Sequence, residues 1–367
     1  MGGMTTVVRD AVMAALGEVY DPELRLPITE LGMVGDVVIG EAGDVIVHLL
    51  LTVAACPLRD VLQEMAREAV AGVAGVTSAE VVLGTMTDEQ RAELSGKLRG
   101  GMTEAEIPFN LPGSPTRVFA VASGKGGVGK STITANLAVA LAAAGLEVGV
   151  VDADVYGFSI PRILGCDGEP MQVGEMIVPP VACGLKVISM GMLVSTGQPV
   201  VWRGPMLHKV LRQFLADVWW GDLDVLFLDL PPGTGDIPLS VAQLLPGAEI
   251  LLVTTPQIAA AEVAERAGAM ALKTQQRVAG VIENMSWLEQ ADGSRLEVFG
   301  AGGGAAVAAN LSEVLGVEVP LLGQVPLDIA VREGGDSGQP VVLDASSSVG
   351  GVLREIASVV EGRIREK

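Results

Sequence analysis

An α/β fold, with a doubly wound and mostly parallel sheet preceded by a small α+β domain, is what this sequence predicts. Three observations carry that prediction. From Arg117 onward, short apolar runs rich in β-formers alternate with stretches of helical periodicity. A glycine-rich segment, Gly124 to Ser131, lies between one such run and the helical stretch that follows it. Residues 88–116 are polar and then punctuated by Gly100-Gly101, Pro108, Pro112, Gly113 and Pro115, which is the composition of a linker.

Taken in order, Val7–Val19 has the period of a helix, and Val37–Gly40 and Val45–Thr52 read as strands around the turn Glu41-Ala42-Gly43-Asp44. Leu58–Ala71 reads as a helix and Val76–Leu83 as a strand, so residues 1–90 form the small domain and 91–116 the linker. In the large domain, 117–367, strands are expected at Val118–Ala122, Val148–Val151, Lys186–Met190, Val225–Asp229, Glu249–Thr254 and Arg277–Ile282. Helices are expected at Ser131–Ala144, Met206–Val218, Ala259–Thr274 and Val349–Arg363, the first stopped by Gly145. The last of them groups Val352, Ile356, Val359 and Val360 on one face, which suits docking onto the sheet better than a membrane surface.

Composition narrows the function. The 367 residues carry a net charge of −20, half of it in residues 1–90. With no basic stripe for a phosphate backbone, the charge pattern argues against nucleic acid as a partner. Three scattered cysteines, Cys56, Cys166 and Cys183, suit a reducing compartment rather than a disulfide framework. No apolar run reaches 18 residues and no secretory signal is visible, so a cytoplasmic protein without a membrane partner is expected.

The chemistry concentrates at Gly124-Lys125-Gly126-Gly127-Val128-Gly129-Lys130-Ser131, which fits the phosphate-cradling loop G-x-x-x-x-G-K-[ST]. Its glycines let successive N–H groups close on phosphate oxygens, and the helix N-terminus beyond Ser131 and Thr132 adds partial positive charge. Lys130 would neutralise the β/γ-phosphates of ATP and the Ser131 hydroxyl would bind Mg²⁺. Lys125 is a second cation that an ordinary loop of this kind lacks, and it suggests an ATPase whose two subunits meet over their nucleotides. Asp152 and Asp154 close one strand and Asp229 another, at the carboxyl edge where such sheets bind ligands. Asp229 would hold Mg²⁺ directly or through its waters, and Pro231-Pro232-Gly233-Thr234-Gly235 would sense the γ-phosphate. Taken singly, each acid fits a helix cap or turn equally well; their shared place beside the loop favours the site.

Other features are weaker. Cys56 lies before Pro57 and a helix, where a thiol is either an activated ligand or a small buried residue. Cys166 and Cys183 match no ligand spacing and read as loop or core. Gly300–Gly304 reads as a turn entering a helix, since nothing basic follows it.

Residues 117–367 resemble the Mrp/ApbC family of P-loop ATPases, in the deviant Walker A group with MinD, ParA and the nitrogenase iron protein. The likeness rests on Ser123–Thr132, Asp152–Gly157, Trp202–Met206, Asp229–Asp236, Glu283–Ser286 and Phe299–Gly303. Residues 1–90 resemble the domain fused to many such proteins and found alone in iron–sulfur assembly factors, through Asp21-Pro22-Glu23-Leu24, Leu31–Val34 and Leu51–Pro57. The resemblance implies a homodimer in which Lys125 reaches the partner's nucleotide and Asp154 or Asp152 positions the attacking water. It implies that Asn284 and the Pro326-Leu327-Asp328 segment contact adenine. It also implies ATP-dependent carriage of iron–sulfur clusters to recipient proteins, with recipient apoproteins or iron–sulfur assembly factors as partners. The competing expectation is a MinD- or ParA-like switch that positions a partner and carries no cluster. Family members that bridge a cluster between subunits have Cys-x-x-Cys after the Glu-Asn-Met-Ser segment, whereas Ser286–Ser294 here contains no cysteine. Thiolates being the required ligands, a cluster would fall to the Cys56 pair of a dimer, or to Cys56 with a partner's thiol.

Overall fold

The computed structural model describes residues 9–52, 58–98, 106–155, 157–193, 204–233, 235–257 and 260–365. Its chain divides into two compact units: residues 1–105 together with 171–178, and residues 106–170 together with 179–367.

In the smaller unit, strand β1 (Val34–Ile39) runs antiparallel to β2 (Asp44–Leu51), which runs parallel to β3 (Ser78–Thr85). Strand β2 alternates, burying Val45, Val47, Leu49 and Leu51. Helix α1 spans Arg9–Gly17, and α2 (Arg59–Ala71) buries Leu62, Ala66 and Val70 at four-residue spacing. Two features depart from expectation. The stretch read as linker opens with helix α3 (Asp88–Leu98). Its start is a reciprocal cap: Gln90 N donates to Thr87 Oγ1 at 3.2 Å and Thr87 N donates to Gln90 Oε1 at 2.8 Å. The unit also includes an antiparallel hairpin, Met171–Val173 with Met176–Val178, whose Val173, Met176 and Val178 are buried.

A pair of buried acids gives this unit a pH signature. Asp21 Oδ1 accepts the N–H groups of Glu23 and Leu24 at 2.9 and 2.8 Å. Burial, and then the Asp21 carboxylate, push Glu23 up to about 7. In the unfolded chain Glu23 ionises near its ordinary value, so from about pH 4.5 to 7 unfolding releases a proton that folding retains. Stability should therefore fall across that window, by on the order of 1–3 kcal/mol. Urea denaturation between those pH values should show the slope, and Glu23→Gln should flatten it.

The larger unit is built on parallel strands β4 (Arg117–Ala122), β5 (Val148–Asp152), β6 (Leu185–Ser189), β7 (Val225–Asp229), β8 (Glu249–Thr254), β9 (Val278–Glu289) and β10 (Leu321–Leu327). Their spatial order is β10-β9-β8-β4-β7-β5-β6, with short antiparallel additions at 181–182 and 295–296. Helices α4 (Lys130–Ala143), α5 (Ile160–Ile163), α6 (Gly204–Ala216), α7 (Asp236–Leu244), α8 (Ala260–Thr274), α9 (Gly303–Leu315), α10 (Ile329–Ser337) and α11 (Ser348–Arg365) complete a mixed α/β unit. Strand β7 enters between β4 and β5, with Asp229 opposite Val121 on one side and Asp152 on the other. That register gathers the phosphate loop and two acids at one edge.

Two local readings are refined. Helix α11 buries Val349, Leu353, Ile356, Val360 and Ile364, while Val359 is 47% exposed, so its apolar face is turned from the one the sequence suggested. Packing against α4 selects that face. The glycine run at 300–304 does enter a helix, and Glu283 caps its N-terminus by accepting Gly304 N at 2.5 Å. The anion such a terminus attracts is thus already supplied by the chain. Among the described residues, no helix is long and apolar enough to cross a membrane.

Candidate functional site

The loop from Ser123 to Gly129 joins β4 to α4, and its conformation depends on glycine. Gly127 and Gly129 adopt φ of 79° and 78°. A Cβ on Gly129 would collide with the Asn284 amide, which donates from Nδ2 to Val128 O at 2.8 Å. Asn284 thereby braces the loop from β9.

Lys130 and Ser131 open α4 and converge on the fully buried Asp229. Lys130 Nζ lies 2.6 Å from Asp229 Oδ1, and Ser131 Oγ donates to Asp229 Oδ2 at 2.5 Å. Thr134 Oγ1 adds a bond to Asp229 Oδ1 at 2.9 Å. Sequence reasoning missed Thr134, although its place one turn beyond Lys130 on α4 was a usable signal. A hydroxyl and a carboxylate meeting beside a lysine form an oxygen donor set suited to a hard divalent cation such as Mg²⁺.

Asp152 is also fully buried, and its carboxylate anchors the following segment. Oδ2 accepts Ser159 N at 3.0 Å, Ile160 N at 3.1 Å and Ser189 Oγ at 3.2 Å, and Oδ1 accepts Asp154 N at 3.2 Å. Burial, followed by the charge on Asp229, pushes Asp152 up to about 7, against the backbone donors that hold it down. Asp154 is nearly buried and accepts Gly157 N at 2.9 Å. The loop after β7 is tied to the phosphate loop by Gly233 N, which donates to Ser123 O at 2.9 Å; Thr234 lies outside the described residues.

Lys125 stands apart from this buried cluster. Its carbonyl accepts Ser123 Oγ at 3.0 Å, while its exposed ammonium donates to Gln257 Oε1, beyond the end of β8.

Beside Gly129 and Thr132 opens a cavity of about 330 Å³, walled by Asn284, Pro326, Asp328 and Arg162 among others. The expected base contacts are therefore gathered next to the phosphate loop. Asp328 also caps α10 by accepting Ala330 N at 2.8 Å.

The thiols are less forthcoming. Cys56 lies outside the described residues. Cys166 and Cys183 are half-buried, and burial pushes both thiols up, away from thiolate reactivity. Cys183 Sγ donates to Leu164 O at 3.6 Å, and Cys183-Gly184, at φ of 50° and 78°, turns the chain into β6.

Residues 114–361 match the family model of NUBPL iron-transfer P-loop NTPases. The chain belongs to that family. A second model, of an iron–sulfur cluster assembly protein, matches residues 9–81. An iron–sulfur cluster carrier protein of Mycobacterium leprae is 58% identical over 98% of this chain and 94% of its own length. Its Bacillus subtilis counterpart by name is 40% identical over 97% and 98%. A nucleotide-binding protein from Archaeoglobus fulgidus, solved with ADP, is 35% identical with a TM-score of 0.52, covering 69% of this chain and 92% of its own. The phosphate loop of this chain lies at the carboxyl edge of a parallel sheet, the edge at which α/β sheets of this kind bind ligands.

Proposed function

We propose that this protein is a cytosolic, Mg-dependent ATPase that carries iron–sulfur clusters to recipient apoproteins, working as a nucleotide-gated homodimer. The observation that supports it most is the convergence of Lys130, Ser131 and Asp229 at the end of the phosphate loop, in a chain whose near-full-length relatives are named cluster carriers. Backbone N–H groups of Gly124 to Thr132 would cradle the phosphates, and the cavity at Asn284, Pro326 and Asp328 would take the base. Ser131 and Asp229 would hold Mg²⁺, which when bound offsets the charge developing on the phosphoryl oxygens.

Of the two acids left open by sequence, Asp154 is our choice to orient the attacking water. Asp152 spends both carboxylate oxygens on the backbone N–H groups of Asp154, Ser159 and Ile160 and on the Ser189 hydroxyl. Asp152 then acts by shaping that segment, and Asp154 is delivered by it. Lys125 would cross to the partner's nucleotide, as an arginine finger does in trans.

The cluster is cargo, and Cys56 is the thiol we assign to it. Anaerobic reconstitution with iron and sulfide should give the wild-type protein a visible charge-transfer spectrum, and Cys56→Ser should remove most of it together with the bound iron. Full iron content and an unchanged spectrum in Cys56→Ser would reject that assignment. A wild-type protein that hydrolyses ATP but holds no cluster would favour the switch reading.

A further inference from the structure

Lys125 has a resting place on its own chain. Among the described residues, the hydrogen-bond acceptor of its ammonium is the side-chain oxygen of Gln257. Both ends of this contact are anchored through their backbones. Gln257 leaves β8, which pairs directly with β4 through Leu252 and Ala122. Thr254 and Thr255 before it are buried, and the Pro256 carbonyl presses on Gly303 so closely that a Cβ there would collide with it. On the other side, Lys125 is held at its carbonyl by Ser123, and a Cβ added to the following Gly126 would meet, among the described residues, the Pro232 side chain. The contact between them is made by two exposed side chains alone. It can open by rotamer changes, without moving the phosphate loop or β8.

The chemistry of the acceptor matters. A glutamine amide offers one neutral oxygen to the ammonium, a single charge-assisted bond in contact with water. A carboxylate at the same place would make an ion pair. The ammonium has three donors, but a lysine stem laid toward its own Gln257 and one extended toward a phosphate of a facing subunit are different rotamers, so the two positions compete as alternative states of one equilibrium.

We propose that Gln257 is a positioning residue that parks Lys125 in the single chain, so that release from Gln257 is a cost of forming the hydrolytic dimer. This rests on the reading of Lys125 as a lysine acting in trans. Parking keeps the lone subunit's cation away from its own nucleotide and makes turnover depend on an encounter with a second copy. The neutral amide sets that brake at a strength a partner's phosphates overcome.

The test measures ATP turnover against protein concentration for the full chain, with Gln257→Ala and Gln257→Glu, each also combined with Lys125→Ala. Gln257→Ala should lower the protein concentration that gives half-maximal specific activity by about three- to fivefold, and Gln257→Glu should raise it by a similar factor. ATP affinity should stay at the wild-type value in both. In the Lys125→Ala background the residual rates of the Gln257 variants should agree within about 1.5-fold, because there is nothing left to park. Opposite signs for alanine and glutamate are what a merely structural role would not produce. A midpoint that Gln257→Ala leaves in place or raises would overturn the proposal, as would shifts that persist without Lys125. A full rate in Lys125→Ala alone would instead strike the trans-lysine reading on which the proposal rests.

Discussion

Lys130→Ala should raise the dissociation constant for Mg-ATP by at least about a hundredfold, the scale of losing charge-assisted bonds to a phosphate. The reason lies in what surrounds the ammonium. Lys130 is almost wholly buried and sits 2.6 Å from Asp229, the residue that also takes Ser131 and Thr134. Removing it would delete the cation proposed for the β/γ-phosphates and leave the Asp229 carboxylate buried without its counter-ion. Breaking such a pair from one side costs about 3–5 kcal/mol of stability. Binding should therefore be read by titration with a fluorescent ATP analogue at a temperature where circular dichroism shows the variant folded. An affinity equal to that of the wild type in the folded variant would refute the assignment of the phosphate loop.

Lys125→Ala should do something different. Its side chain is exposed and meets Gln257 rather than the buried cluster, so neither folding nor nucleotide affinity is expected to depend on it. ATP affinity should stay within about twofold, while turnover falls by about a thousandfold or more, the range of a cationic finger supplied in trans. Sedimentation with ATP should show the variant's closed dimer depleted. An unchanged hydrolysis rate would sink the trans-lysine reading. The two substitutions thus separate binding from turnover within one eight-residue loop.

Much of the site was legible because it depends on local chemistry. Gly127 and Gly129 need positive φ to turn the loop, and Lys130 with Ser131 must open the next helix; each requirement leaves a mark on neighbouring residues. Strands β4, β7 and β8 were recognisable because buried parallel strands are apolar throughout. Helix α3 was passed over in a polar stretch, although Thr87 and Gln90 spelled its cap. The hairpin at 171–178 and strand β10 left weaker marks, since three buried residues in the short hairpin and the single buried Val325 of β10 make no readable period. The face of α11 was misjudged because two overlapping apolar stripes fit its sequence, and only α4 and the sheet select between them.

The amino-acid sequence by itself determined the kinds of chemistry available: a phosphate loop with an extra lysine, acids at strand ends, and no cysteine pair in the Ser286–Ser294 segment. Those follow from residue type and spacing within one strand, turn or helix. Tertiary structure decided how the acids divide their work. Asp152 and Asp229 look alike at the ends of apolar strands, yet register sets them side by side and only Asp229 receives Lys130. Asp152, buried and then repelled by the charge on its neighbour, is pushed up to about 7 against the backbone donors that hold it down. The contact between Lys125 and Gln257 belongs to the same class, because 132 residues separate them and only the pairing of β8 with β4 brings them together. Charge and hydrogen bonding act through space, and it is the order of the strands that sets those distances.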